Sequence, residues 1–191
     1  MLTLHRGAVD AVLVQDDRIA ALGPAAELAA AHPGARVRDW PGGRITGGLV
    51  EPAAVELLER RYHPDPREGI GTAPRELPAG LSDPALGGSA RRGLQALLAR
   101  GVTAVVGPFT LPVVRTAVAR SGLAVLAADA PFDREPRGTS QPPPAFGRGD
   151  PHGWGMIGGR ADFAVFGPIG AADERCLATV LAGRIVFRGR S

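Results

Sequence analysis

The 191-residue chain has no lysine, no asparagine, a single cysteine and only 5% aromatic residues. Each shortage removes a chemistry. Without lysine there is no Schiff-base amine, and "GVTAVVGPF" has the glycines of a phosphate loop but no cation to reach a nucleotide's outer phosphates. The lone Cys176 can form no internal disulfide and no cysteine-cluster zinc site, and is expected as a small buried hydrophobe. No run approaches the roughly 20 apolar residues that span a bilayer. The start "MLTLHRGAVDAV" has no apolar signal core either, so the expected compartment is the cytoplasm, without membrane contact.

All 22 basic residues are arginine, set against 19 acidic ones for a formal charge of +3. The calculated pI near 10.3 invites a nucleic-acid reading. The arginines are scattered, however, and few aromatics are available to stack bases, so no nucleic-acid partner is expected. The 45% of hydrophobic residues is enough for a packed core in a chain of this length.

Along the chain, "AVDAVLVQ", "DDR" and "IAALG" read as strand, turn and strand. "PAAELAAAHPG" has proline at a helix start and His-Pro-Gly as its stop. "ARVRDW" alternates as a half-buried strand does, and "PGGRITGGLV" is a turn followed by another strand. "AAVELLERRY" spaces Val55, Leu58 and Tyr62 as a helix would. A Pro/Gly-rich loop of about two dozen residues then runs to "SARRGLQALLARG", a helix with Ser89 as N-cap and Gly101 as stop. "VTAVVG", "LPVVRTAVARSG" and "LAVLAAD" form a strand, helix and strand ending on Asp129, which predicts a parallel βαβ unit. Residues 130–157 read as a linker or lid. "ADFAVF" and "CLATVLAGRIVFRG" close the chain as three strands, the last two joined by a hairpin at "AGR".

Few residues offer chemistry. "YHPDPRE" holds His63, Asp65, Arg67 and Glu68 on a backbone preset by two prolines, a plausible contact surface for substrate; the plainer reading is that the prolines end a helix and the charges pair in water. His152 in "GDPHGWG" lies in a second long loop. Asp129 falls at the C-terminal edge of a parallel strand, where α/β sheets place ligands and where aspartate is also a common turn former. His5 and His32 fall in a strand start and a helix end. No H-x-H or H-E-x-x-H spacing links the four histidines, and no G-x-S-x-G elbow is present.

Three segments, taken in order, resemble the amidohydrolase superfamily, with imidazolonepropionases and aminodeoxyfutalosine deaminases as the nearest relatives. "VLVQDDRIAALGP" is similar to the opening of their small β-sandwich. "RITGGLVEPAAVEL" is similar to the strand that enters their barrel. "GRADFAVFGPIGAADERCLATVLAGRIVFRG" is similar to the C-terminal return that completes the sandwich. The family's first barrel strand ends in Pro-Gly-hydrophobe-hydrophobe-Asp-x-His-x-His. Here Gly48, Leu49, Val50 and Glu51 fit, Gly47 replaces the proline, and Ala53 and Val55 stand at both histidine positions. "GLAVLAADAP" resembles the last barrel strand, which implies for Asp129 the family's metal-binding and proton-shuttling place.

The resemblance implies an α/β fold: a small β-sandwich built from both chain termini (1–50 and 158–191) plus a truncated (β/α) barrel remnant (51–129), since a whole barrel takes about 250 residues. Whether that remnant is a half-barrel or a small open sheet stays open. So does function. One expectation is a non-catalytic binding or partner module, a homodimer or bound to another chain or a small metabolite, with no cofactor and no metal ligands. The alternative is a hydrolase of non-peptide C–N bonds in a cyclic amide or aminopurine-like metabolite. It would use Asp129 as base and zinc or iron held with His63 and His152. A third reading is metal-free acid–base chemistry at Asp129 with arginine anchors.

Overall fold

The computed structural model describes residues 1–130, 156–167 and 174–189. The chain divides into two compact units, one of Met1–Leu49, Ala99–Thr103 and the described part of Pro131–Ser191, the other of Val50–Leu98 and Ala104–Ala130.

The first unit begins with strands Leu2–Arg6 (β1), Asp10–Gln15 (β2) and Arg18–Pro24 (β3), helix Ala25–Ala31 (α1), and strands Arg36–Asp39 (β4) and Arg44–Gly47 (β5). After the second unit's β6 to β10 it resumes with Phe163–Gly167 (β11), Arg175–Leu181 (β12) and Arg184–Arg188 (β13). Two four-stranded sheets result, ordered β3-β2-β1-β4 and β13-β12-β11-β5. The second mixes chain ends, because β5 pairs antiparallel with β11 from Phe163↔Gly47 to Phe166↔Arg44. Their inner faces share one core in which Val12, Val14 and Ile19 meet Ile45, Phe163, Val165, Ala178 and Val180 under Trp40. Alternate side chains of a strand point to one face, which is why "VLV" and "FAV" each contribute two of these residues.

The closing hairpin follows local chemistry. Ala182 and Gly183 both take positive φ, 48° and 73°, as a two-residue turn matched to strand twist requires. The buried Asp162 carboxylate accepts from the Ala182 backbone N–H at 2.8 Å, fastening that turn, and lies 3.3 Å from Arg160 Nε. Burial pushes the Asp162 carboxyl above the usual aspartate range, with the hydrogen bond and Arg160 opposing.

The second unit contains Leu49–Glu51 (β6), Ala54–Glu59 (α2), Arg61–Tyr62 (β7), Arg75–Glu76 (β8), Asp83–Ala99 (α3), Val102–Val106 (β9), Pro112–Ser121 (α4) and Ala124–Leu126 (β10), except that Leu49, Ala99, Val102 and Thr103 belong to the first. Its sheet runs β10-β9-β6, and β9 and β10 are parallel across α4, the expected βαβ unit. The architecture is mixed α/β, with several sheets and no closed barrel among the described residues.

Four expectations need correction. α3 starts at Asp83, six residues before Ser89. Ser89 is therefore no N-cap; it lies fully buried inside the helix and its Oγ accepts from the His63 backbone N–H at 2.9 Å. The Ser82-Asp83-Pro84 start was masked by the glycines of "ALGGSARRG", which read as loop but are used for close packing. Tyr62 belongs to the short β7–β8 ladder and not to a helix, since α2 ends at Glu59. β10 ends at Leu126, so Asp129 sits in a turn beyond the strand. The two dozen residues after Tyr62 are ordered in part by a 3-10 turn over Pro66–Glu68.

His5 is 1% exposed in β1, edge-on to Phe163 at 4.9 Å, with Trp40 Nε1 donating to its Nδ1 at 3.4 Å. That bond makes the ring the neutral Nε2–H tautomer. Burial, with the Arg38 cation second, lowers its pKa from 6.5 to about 4. The unfolded chain thus binds more protons than the native one in this window. Stability present above pH 6.5 is lost as pH falls toward 4, by about 3 kcal/mol. In urea unfolding, wild type should lose that much more than His5→Leu between pH 7 and pH 4; equal losses would refute the linkage.

Candidate functional site

The segment "YHPDPRE" is held against α3 by two of that helix's side chains, Ser89 and Arg92. The backbone sets the frame. Pro66 opens the 3-10 turn, Asp65 caps it by accepting from the Arg67 N–H at 3.0 Å, and Glu68 reaches back to accept from the Asp65 N–H at 3.1 Å. This reciprocal pairing satisfies donors a helix start leaves open. Gly69 ends the turn at φ 70°, a left-handed conformation that favours glycine. The Tyr62 hydroxyl donates to Glu68, which holds its pKa above the usual tyrosine value.

Arg92 ties the segment to α3. Its Nε donates to the His63 carbonyl at 2.8 Å, Nη1 lies 3.6 Å from Asp65 Oδ2, and the guanidinium sits 5.9 Å from the centre of the Tyr62 ring. Its neighbour Arg91 is exposed, whereas Arg92 is half-buried. A usable signal was Ser89 and Gly93, four apart on one helix face, where small residues admit another segment closely.

His63 occupies the space those residues leave. It is buried, and its Nε2 lies 2.9 Å from the Leu57 carbonyl oxygen, which can only accept. Nε2 therefore carries the proton, and the lone pair of the ring is on Nδ1. A Cβ on Gly93 would come within 2.7 Å of both His63 Nε2 and Leu58 Cδ2. Asp65 is held by the capping turn and Arg92, and Arg67 is exposed on that turn. Asp129 is exposed, and no hydrogen bond or ion pair among the described residues joins it to His63, Asp65 or Arg67. His152 lies outside the described residues.

The sequence reading missed a buried carboxylate nearby. Glu59, at the end of α2, accepts from the Thr110 N–H at 2.6 Å, the Thr110 hydroxyl at 2.9 Å and the Leu111 N–H at 2.8 Å. α4 has no cap of its own, as its N-cap is Leu111, so Glu59 satisfies those open amides from another helix. Its pattern, an acid closing "VELLE", resembled an ordinary solvated helix position.

At the place corresponding to the family's two histidines, β6 ends at Glu51, which accepts from the Ala53 N–H at 3.0 Å. The chain then turns at Pro52 into α2. Ala53 is the N-cap and Val55 lies within the helix, so the two are not alternate residues of one strand. Among the described residues no three His, Cys, Asp or Glu side chains are grouped to hold a metal ion.

Residues 11–35, which form β2, β3 and α1, match the family model of the imidazolonepropionase-like composite domain of bacteria. Solved structures similar to the chain include guanine deaminase from Bradyrhizobium japonicum, at 23% identity over 62% of this chain and 27% of that one, with a TM-score of 0.38. Helicobacter pylori aminofutalosine deaminase is 12% identical over 66% and 33%, with a TM-score of 0.44. The atrazine chlorohydrolase TrzN of Arthrobacter aurescens TC1, complexed with zinc, is 15% identical over 69% and 38%, with a TM-score of 0.43. No curated protein matches. The chain spans about a third of the length of these structures. What the family model matches is residues 11–35, which are similar to an imidazolonepropionase-like composite domain.

Two substitutions test this account of the unit. Glu59→Ala should lower stability by about 2 kcal/mol or more in denaturant unfolding, because it strands two amides and a hydroxyl. Gly93→Ala should cost on the order of 2 kcal/mol by overpacking His63 and Leu58. A neutral result for either would show that the contact is not made.

Proposed function

We propose that this chain is an amidohydrolase-related binding module that performs no metal-dependent hydrolysis of its own. One observation carries the reading: Ala53 and Val55 occupy the positions of the two imidazole ligands, and β6 gives way to α2 before either is reached. A catalytic zinc needs about three protein ligands with an open position. Hydrocarbon side chains on a helix start supply none, so the residues present do not fit the metal. Asp129, exposed in its turn, makes no hydrogen bond or ion pair with the other candidates among the described residues.

In this reading β6, β9 and β10 with their helices are what remains of a barrel, kept as a small open sheet. β10 is an end strand of that sheet, and Val125 on it is 53% exposed. Exposed strand edges with apolar side chains favour pairing with another chain. The simplest occupant is a second copy, and the protein is proposed as a cytoplasmic homodimer. No helix among the described residues is long and apolar enough to cross a membrane.

Elemental analysis of the purified protein is expected to find no stoichiometric zinc, iron or manganese, and assays with cyclic amides and aminopurines no turnover. A bound transition metal together with turnover would overturn the module reading. Light scattering should give twice the 19.7 kDa chain mass, and Val125→Arg should return it to one. A wild-type monomer at micromolar concentration would remove the dimer while leaving the module.

A further inference from the structure

The first unit carries a concave surface that none of this accounts for. It is lined by Val37, Arg38, Asp39, Trp40 and Arg188, where the outer strands β4 and β13 of the two sheets come together. Its charges are unbalanced. Asp39 is already engaged by Arg6. Arg38 and Arg188 have no carboxylate partner among the described residues. The Arg188 guanidinium is held 5.5 Å from the centre of the Trp40 ring, and Arg38 is close enough to disfavour a charge on His5. Two cations facing one groove repel each other unless an anion lies between them.

We propose that this groove binds the phosphate or carboxylate group of a small metabolite between Arg38 and Arg188. Guanidinium forks match such anions through paired N–H donors, and neither fork here meets a carboxylate among the described residues. Trp40 is 6% exposed, with Arg188 over its ring and His5 parallel to it at 6.3 Å, so the indole serves as a floor holding Arg188 and does not itself stack on ligand. The site lies wholly in the sandwich unit and is independent of whether the chain dimerises or hydrolyses anything.

The indole N–H that Trp40 donates to His5 is a built-in reporter, assigned by NMR with a Trp154→Phe variant. Inorganic phosphate and succinate are titrated separately, with sodium chloride at matched ionic strength as control. A saturable shift of the Trp40 resonance at millimolar phosphate or succinate, absent with chloride, is the expected result. The tighter of the two identifies the anion. Arg38→Gln and Arg188→Gln should each weaken binding about tenfold, the effect of losing a charge-assisted bond, and Arg36→Gln, outside the groove, should not. Matching melting temperatures would show that the variants remain folded. A shift that is linear and common to all three salts, or saturation unchanged in the double Arg38→Gln, Arg188→Gln variant, would overturn the proposal.

Discussion

The antiparallel pairing of β5 with β11 joins residues about 120 positions apart, and the sandwich exists only because that pairing closes. Strands β1 to β3 bury two faces: α1 packs on the one carrying Leu4, Ala11 and Leu13, and the other, carrying Val12, Val14 and Ile19, is left to the second sheet. The cover comes from β11 and β12, through Phe163, Val165, Ala178 and Val180. Closing so long a loop costs entropy that grows only slowly with length, and a dry, shared core offsets it. The closure also buries His5, with Phe163 from the other chain end edge-on to it, and Asp162, next to Phe163 in sequence, is buried as well. They pull stability in opposite directions with pH, the imidazole against acid and the carboxyl against base.

In the other unit, polar side chains do structural work that sequence patterns usually associate with catalysis. Glu59 caps a helix it does not belong to. His63 fills the notch at Gly93, Arg92 clamps the His63 carbonyl and Asp65, and Tyr62 is spoken for by Glu68. A histidine, two carboxylates and an arginine within a few residues resemble an acid–base site. Their hydrogen bonds run to one another and to backbone, which leaves little capacity for a substrate.

Much of the fold was readable because it rests on local rules. The β2–β3 hairpin, the helix opened by Pro24, the βαβ pattern around α4 and the Ala182-Gly183 turn each follow from alternation, capping or backbone preference within a dozen residues. The misreadings share a cause. Gly87, Gly88, Ser89 and Gly93 weaken helix propensity locally, and their use is seen only with Val113, Leu58 and His63 packed beside them. Asp129 was placed at a strand end because "LAVLAAD" is apolar throughout, but β10 keeps its ladder only as far as β9 can pair with it, to Leu126.

By itself the sequence determined that neither imidazole of the family's metal pair is present, that no amine or disulfide chemistry is available, and that both halves of a composite sandwich are encoded. These are matters of which atoms exist. Tertiary structure alone decided which polar groups remain available, because a side chain's hydrogen-bonding capacity is spent on whatever distant segment packs against it. Hence His63 became a strut, Glu59 a cap, and the unremarked Arg38 and Arg188 a pair of cations with no carboxylate partner among the described residues.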